Sequence, residues 1–300
     1  MKPKIMFMGT PDFADVILKR LHAEGYDICA VVTNPDKPKG RGYEMQPPPV
    51  KVTAEKLGLP VYQPVTLKNA EFLEEVKPDM IVLAAYGKIL PKNFIEYNNV
   101  CVHPSLLPKY RGAAPIQRAI MNGETVTGIT IMQMGEGIDT GDILLQTECA
   151  IEDSDNFESL HDRLAILSAD LLIEALKQNP QPVKQDDAHA TYAPKIDNSE
   201  LLIDFGKSAT EINNHIRALS PFAVLNGRKI KILSAKVSNV TEGSPGIVVS
   251  LSNGVISVVC GEGTLNIETL LPEGKGKMKA GDFINGRKIS IGDVFNDGNN

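Results

Sequence analysis

The chain has 300 residues, of which 42% are hydrophobic and 23% charged, and its formal net charge is −6 at neutral pH. These values are typical of a soluble globular protein with a sizeable core, and the length suits two domains rather than one. No run of about 18 apolar residues is present, which excludes a membrane-spanning helix. The four cysteines show no C-x-x-C pair and no metal-ligand spacing, so we expect free thiols in a reducing cytoplasm.

The N-terminal half alternates predicted strands with predicted helices. Lys4–Met8 and Ile28–Thr33 are apolar strands separated by an amphipathic helix, and this β-α-β order implies a parallel sheet. The turn after the first strand lacks G-x-G-x-x-G, which disfavours an enzyme that binds a dinucleotide. Met80–Ala84 is an unbroken apolar run typical of a central parallel strand, and the loop Ala85–Lys88 follows it.

A long segment, Asn34–Lys51, follows the second predicted strand and is too irregular for a plain connection. Long loops of this kind inside compact domains are usually functional or disordered. Its basic side chains outnumber its acidic ones, and two glycines give it freedom to move. The segment is therefore either a flexible arm for phosphate groups or a solvated loop.

Two further segments carry candidate chemistry. Val102–Pro115, with the sequence V-H-P-S-L-L-P-K-Y-R-G-A-A-P, places His103 near the end of a predicted strand and follows it with a proline-stiffened turn. Met134–Asp142, with the sequence M-G-E-G-I-D-T-G-D, holds Asp139 in a glycine-flanked loop, and a predicted strand at Ile143–Ala150 follows. We expect both loops to leave the same edge of one parallel sheet and to meet in one cleft. The alternative is a tight proline turn beside an ordinary polar loop.

The C-terminal part has a different pattern. Asn156–Lys177 predicts a long helix, and the pattern then weakens from Gln178 to Phe205, which indicates a linker. After a helix at Ser208–Leu219, short alternating runs separated by turns predict a small β-barrel. From Lys207 onward the chain carries 11 Lys and Arg against 8 Asp and Glu, although the whole chain is acidic. The tract Gly274–Lys279 is then either a solvated turn or a phosphate contact.

Four motifs together resemble the methionyl-tRNA formyltransferase family within the folate-dependent formyltransferase group. They are H-P-S-L-L-P-K-Y-R-G-A-A-P-I-Q from His103, G-I-D-T-G-D from Gly137, P-D-K-P-K-G-R-G followed by P-P-V-K, and the C-terminal G-K-M-K-A-G-D-F-I-N-G-R-K. The resemblance implies a Rossmann-like α/β domain with a parallel sheet at residues 1–188, a linker at 189–206 and a small OB-like β-barrel at 207–300. It also implies a monomeric cytoplasmic enzyme that uses no metal.

The reaction that the resemblance implies moves a formyl group from 10-formyltetrahydrofolate to the α-amine of methionine esterified to initiator tRNA. The family's catalytic set is an Asn, a His two residues later and a distant Asp. His103 and Asp139 match the last two, whereas Cys101 stands at the Asn position. The implied folate-binding residues are Ser105, Leu106, Leu107, Pro108, Tyr86 and Gly87. The implied tRNA-binding residues are Lys37, Lys39, Arg41, Lys51, Lys275 and Lys277.

Cys101 leaves three hypotheses open: an active tRNA formyltransferase with retuned catalysis, a formyltransferase for a small amine or amino sugar, and a tRNA- or folate-binding homologue without turnover. The basic loop and the barrel argue against the small-amine enzyme. Asn99 does not replace the missing amide, because it lies about 6.6 Å further back on the same strand face. The stretch Ser220–Gly227 is shorter than the family pattern, which predicts a shortened first barrel strand.

Overall fold

The computed structural model describes residues 2–39, 44–68, 70–240 and 242–296. The chain forms two compact units. The first comprises Met1–Pro115, Val126–Ala150 and Ser159–Pro194, and the second comprises Ile116–Thr125, Ile151–Glu158 and Lys195–Asn300. The domain boundaries given above, at 188 and 206, stay a prediction. Among the described residues, no helix has both the length and the hydrophobicity that crossing a membrane requires.

The described part of the first unit contributes nine strands. They are β1 (Lys4–Gly9), β2 (Asp27–Val32), β3 (Lys37–Lys39), β4 (Glu44–Gln46), β5 (Val61–Tyr62), β6 (Met80–Ala84), β7 (Asn99–His103), β8 (Val126–Met132) and β9 (Ile143–Ala150). Seven of them form one sheet in the order β5-β2-β1-β6-β7-β8-β9. β1 and β7 are almost entirely buried, because helices or loops cover a parallel sheet on both faces.

The sheet is parallel from β5 to β7, as the sequence predicts, but β8 and β9 are antiparallel additions. β8 and β9 are joined directly by residues 133–142, and a short connection of this kind joins antiparallel strands. The expectation that the two candidate loops leave the same edge of a parallel sheet is therefore wrong. Met132 pairs with Cys101 and Thr130 pairs with His103, so β8 ends beside the beginning of β7.

The described residues form eight α-helices. They are α1 (Asp12–Ala23), α2 (Pro49–Lys56), α3 (Glu71–Val76), α4 (Lys92–Ile95), α5 (Pro115–Met121), α6 (Phe157–Gln178), α7 (Ala209–Leu219) and α8 (Ala280–Asn285). α7 begins where its sequence signal indicates, because the Ser208 side chain accepts from the Glu211 N–H in a capping box.

The predicted irregular segment after β2 contains a short antiparallel ribbon. β3 and β4 pair with Lys37 opposite Gln46 and Lys39 opposite Glu44. Gly40, Arg41, Gly42 and Tyr43, which connect the two strands, lie outside the described residues, as does the side chain of Lys39. Sequence patterns of three residues are too short to predict such strands, so the ribbon emerges only from the structure.

The second unit contains a curled antiparallel sheet. Its described strands are β10 (Phe222–Leu225), β11 (Arg228–Ser238), β12 (Val248–Ser250), β13 (Ile256–Val259), β14 (Thr264–Pro272), β15 (Met278–Lys279) and β16 (Phe295–Asn296). Six follow the order β12-β13-β14-β11-β10-β16, and β15 pairs with β14. The two ends of this order meet, since the Val248 N–H donates to the Asp293 carbonyl over 2.8 Å. The predicted small β-barrel is thus confirmed as a curled sheet around an apolar core.

The first strand of this sheet, β10, has four residues and ends in a tight turn. Asn226 and Gly227 have φ angles of 50° and 73°, which a two-residue hairpin turn requires. The short strand still pairs with β11 on one side and β16 on the other. The shortened Ser220–Gly227 stretch therefore keeps its place in the sheet.

Candidate active site

His103 ends β7 with a buried imidazole that has a neighbour at each ring nitrogen. Nε2 lies 2.9 Å from the carbonyl oxygen of Tyr110, and because a carbonyl can only accept, Nε2 carries the hydrogen. Nδ1 faces the carboxylate of Asp139, 3.6 Å from Oδ2. The backbone contact therefore orients the ring so that Nδ1 is the nitrogen available for chemistry.

Asp139 reaches His103 from the opposite end of β7. Its loop starts beside Asn99, where the Met134 N–H donates to the Asn99 side-chain oxygen over 2.6 Å, and it then runs back along β7. The Gly112 N–H donates to Asp139 Oδ2 over 2.7 Å and holds the carboxylate next to His103. The structure thus joins the two predicted residues, although by a different route from the one expected.

Three residues around this pair have left-handed backbone. Tyr110, Gly112 and Asp139 have φ angles of 60°, 123° and 53°. A Cβ at Gly112 would stand 2.6 Å from the carbonyl oxygen of Ala193, so only glycine fits there. Residues in this region are uncommon unless their surroundings fix them, and they concentrate at functional sites.

Cys101 lies on the same face of β7 as His103 and packs with Leu107 and Met132. Burial raises the pKa of its thiol far above the ordinary value, and the Asp139 carboxylate raises it further. The thiol is therefore neutral at physiological pH, and a neutral buried thiol is a poor nucleophile. This environment argues against a covalent formyl thioester on Cys101.

Asn99, two residues earlier on that face, is fully occupied by structural hydrogen bonds. Its amide nitrogen donates to the carbonyls of Ile95 and Tyr97 at 2.8 and 3.0 Å, and its oxygen accepts from Met134. The side chain has no donor left for a substrate. Asn99 is a loop anchor that the sequence does not identify, since nothing in the pattern links it to Met134.

The turn Ser105–Pro108, the predicted wall of the folate site, is held by its own side chains and by β8 and β9. Thr130 donates its hydroxyl to the Ser105 carbonyl and accepts from the Leu107 N–H, and Gln146 donates to the Leu107 carbonyl. Ser105 and Leu107 are buried, whereas Leu106 and Pro108 are half-buried. Leu106 and Pro108 are therefore the side chains that a ligand can reach, together with the turn's backbone.

Tyr86 and Gly87 follow β6 with contrasting exposure. The Tyr86 ring packs in the apolar core of the first unit, and burial raises the pKa of its hydroxyl to about 12. Its carbonyl accepts from the Asn34 side chain over 2.9 Å. Gly87 is exposed with φ 78° and open space where a Cβ would stand. A ligand can approach the backbone at Gly87 but not the Tyr86 ring.

The base of the β3–β4 ribbon is tied to the rest of the unit by Asp36. Gln63 donates to Asp36 over 2.7 Å and Lys51 pairs with it at 2.9 Å, and these contacts hold the pKa of the Asp36 carboxyl below its usual value. Lys51 is thus engaged within the protein, whereas Lys37 is exposed. Lys275 and Lys277 are exposed in the turn after β14, in the second unit.

The described residues include no group of three or more His, Cys, Asp or Glu side chains suited to hold a metal ion.

Both units of this chain resemble known proteins in sequence. Residues 2–176 match the model of the formyl transferase family, and residues 195–288 match that of the formyl transferase C-terminal domain. The chain belongs to this family.

Within the family the chain is similar to methionyl-tRNA formyltransferases. The enzyme of Caldicellulosiruptor saccharolyticus is 48% identical, over 97% of this chain and 99% of its own. The enzyme of Bacillus velezensis is 45% identical, over 99% of this chain and 98% of its own. A solved N-formyltransferase from Helicobacter canadensis, in complex with folinic acid and dTDP-3-aminofucose, has a TM-score of 0.67 at 21% identity and covers 89% of this chain and 99% of its own. At that identity the likeness concerns the fold alone.

Proposed function

We propose that this protein transfers the formyl group of 10-formyltetrahydrofolate to the α-amine of methionine esterified to initiator tRNA. The observation that carries the proposal is the pair of buried His103 and half-buried Asp139 at the end of β7 within a formyl transferase fold. The near-full-length similarity to methionyl-tRNA formyltransferases supports the choice of acceptor.

The chemistry is acyl transfer between two nitrogens. The neutral amine attacks the formyl carbon, an oxyanion develops, and the bond to the folate nitrogen N10 breaks. The proton that the amine loses must reach N10. Asp139 accepts this proton, directly or through one water. His103 acts as the imidazolium, with a hydrogen on both ring nitrogens: Nδ1–H stabilises the oxyanion and then passes its proton to N10 as the bond to the formyl carbon breaks. The proton held by Asp139 then moves to Nδ1, which restores both residues.

The His103 geometry supports this division of roles. Nε2–H is committed to the Tyr110 carbonyl, so proton exchange falls to Nδ1, which faces Asp139. The 3.6 Å separation between Nδ1 and Oδ2 leaves room for the two side chains to adjust around a reacting group. Hydrogen bonds in unliganded active sites are often long and shorten in the substrate complex.

The remaining assignments follow the same proposal. Tetrahydrofolate lies against Leu106 and Pro108 and the backbone at Ser105, Leu107, Tyr86 and Gly87. Initiator tRNA is held by the ribbon with Lys37, Lys39 and Arg41 and by Lys275 and Lys277. Lys51 supports the ribbon through Asp36 rather than by binding phosphate itself. The enzyme works as a monomer in the cytoplasm.

A panel of acceptors tests the proposal. Purified protein is given 10-formyltetrahydrofolate with methionyl initiator tRNA, with methionyl elongator tRNA or with a nucleotide-linked amino sugar. We expect formylation of the charged initiator tRNA above the other two. Formylation of the amino sugar alone would support the small-amine hypothesis, and tRNA binding without product would support the inactive homologue.

A further inference from the structure

The segment after α6, which the sequence presents as the start of a linker, is built into the first unit. Val183 and Ile143 exchange two backbone hydrogen bonds of 2.8 Å at the beginning of β9. Further along, the Arg111 N–H donates to the Thr191 carbonyl over 2.9 Å, and Ala193 donates to the Arg111 carbonyl over 2.7 Å. Residues 183–193, which we call the return segment, therefore connect the Asp139 loop region with the loop after His103.

Gln185, in the return segment, uses its whole carboxamide to join two parts of the site. Its nitrogen donates to the carbonyls of Asp139 and Gly141, at 2.9 and 2.7 Å. Its oxygen accepts from Nε and Nη2 of Arg111, at 3.0 and 2.7 Å. Because the guanidinium can only donate and the carbonyls can only accept, the orientation of the amide is fixed.

Arg111 is an unusual partner for a neutral amide, because its side chain is only 3% exposed. Burial of a guanidinium is unfavourable unless its donors are used. The one carboxylate paired with it in the described structure belongs to Asp187, whose side chain is 82% exposed. The buried face of the guanidinium is therefore occupied by Gln185, and its planar fork fixes the direction of that side chain.

The Asp139 loop needs such a restraint. Asp139 has the left-handed φ of 53°, which a non-glycine residue rarely adopts without support. At Gly141 a Cβ would stand 1.7 Å from the Gln133 carbonyl oxygen, so the loop is packed closely at that point. Gln185 holds the carbonyls on both sides of Thr140, while Gly112 holds the Asp139 carboxylate itself.

We propose that Gln185, oriented by Arg111, is a positioning residue that fixes Asp139 opposite His103. The effect on catalysis that we infer for Gln185 rests on the proposed function. Gln185 contacts no reacting atom; it sets the backbone from which the Asp139 carboxylate projects. Small displacements of catalytic groups lower the reaction rate strongly. Loss of the Gln185 hydrogen bonds therefore slows the chemical step rather than weakening substrate binding.

The test compares Gln185→Glu with a matched control, Gln178→Ala. Glutamate keeps the shape and the acceptor for Arg111 but loses both donors to the loop carbonyls. Gln178 lies exposed at the end of α6, and in the described structure its side chain bonds Glu174. We expect Gln185→Glu to lower kcat about 10- to 100-fold, with the KM for both substrates nearly unchanged, and Gln178→Ala to behave as the wild type.

A second readout does not depend on activity. In protein labelled with ¹⁵N at histidine, the His103 Nδ1 signal reports the position of the Asp139 carboxylate, and it is assigned with the variant His103→Gln. We expect this signal to move in Gln185→Glu and to stay in place in Gln178→Ala.

A folded Gln185→Glu protein with wild-type kcat, or with an unmoved His103 signal, overturns the inference. If Gln185→Glu does not fold, Gln185→Ala, which adds no charge, carries both measurements with the same expectations. If the wild type formylates no methionyl-tRNA, the proposed function fails, but the histidine signal still decides whether Gln185 positions Asp139.

Discussion

Among single residues, Cys101 is the one whose substitution we expect to raise the rate. It stands where the family has an amide donor, on the same face of β7 as His103, and its thiol is a weak donor. We predict that Cys101→Asn raises the single-turnover rate of formylation by at least about tenfold, equivalent to about 1.4 kcal/mol of barrier. The substrate affinities should change little, because an oxyanion donor acts only near the transition state.

Cys101→Ala is the control for that variant, with thermal melts to show that each protein is folded. A rate unchanged in both variants would mean that His103 alone stabilises the oxyanion. A collapse in Cys101→Ala, without gain in Cys101→Asn, would instead give the thiol a role of its own and contradict the prediction.

Buried thiols also make stability depend on alkaline pH. Burial raises the pKa of Cys101 well above its unfolded value and that of Cys260 to about 11. At a pH above the pKa that a thiol has in the unfolded chain, the unfolded chain loses a proton that the folded chain keeps. The free energy of unfolding is therefore constant below about pH 8 and falls as the pH rises further, by about 1.4 kcal/mol per pH unit for each thiol. Urea unfolding at about pH 7.5 and 9.5, either side of the unfolded thiol pKa, measures this loss. The loss should be smaller in Cys260→Ala than in the wild type, and an equal loss in these two proteins would contradict the prediction.

Among the elements of the fold, β7 carries the site because it anchors loops at both of its ends. Asn99 holds the start of the Asp139 loop through Met134 and also caps the two carbonyls of Ile95 and Tyr97. We predict that Asn99→Ala destabilises the protein by about 1–3 kcal/mol, because a partly buried N–H and two carbonyls lose their partner. The neighbouring Asn98 is exposed, so Asn98→Ala is the matched control and should leave the unfolding free energy unchanged. Equal stabilities for the two variants would contradict the anchor role.

The ribbon of β3 and β4 is the element that we expect to bear on tRNA. We predict that Lys39→Ala with Arg41→Ala weakens tRNA binding and lowers the slope of log Kd against log salt by about 0.9 for each phosphate that the protein no longer neutralises. Folate binding should be unaffected. Lys19→Ala, which removes a cation from α1 where it pairs with Asp15, is the control. Unchanged tRNA affinity of the double variant in low salt would exclude the ribbon as an arm for tRNA.

An element can be predicted from the sequence when its own residues and their neighbours along the chain determine it. The strands at Met80–Ala84 and Ile143–Ala150 have the bounds that the sequence predicts, because apolar runs bounded by turns determine them. The antiparallel direction of β8 does not follow from its own residues, since strand direction depends on the path of the whole connection. The three-residue strands β3 and β4 cannot be predicted from the sequence, because they are strands by virtue of pairing with each other and not because of their composition.

Across the whole molecule, the sequence identifies the candidate reacting residues but not what holds them. His103 and Asp139 stand out because histidine and aspartate in such motifs have few structural reasons to be there. Gln185, Thr130 and Gln146 carry no comparable signal, because a glutamine or threonine is informative only once its distant partners are known. The presence of two units follows from the change from β-α alternation to short alternating strands.

The proposed mechanism depends most on His103 and Asp139 acting as one catalytic pair in formyl transfer to methionyl-tRNA. Single-turnover transfer of labelled formyl from 10-formyltetrahydrofolate to methionyl initiator tRNA tests this directly, with the wild type, Asp139→Asn, His103→Gln and the double variant. We predict that each single variant is slower by about 10²- to 10³-fold, and that the double variant is hardly slower than either, because the two residues act as a unit. Fully multiplicative losses, or a folded single variant with the wild-type rate, would contradict the paired role.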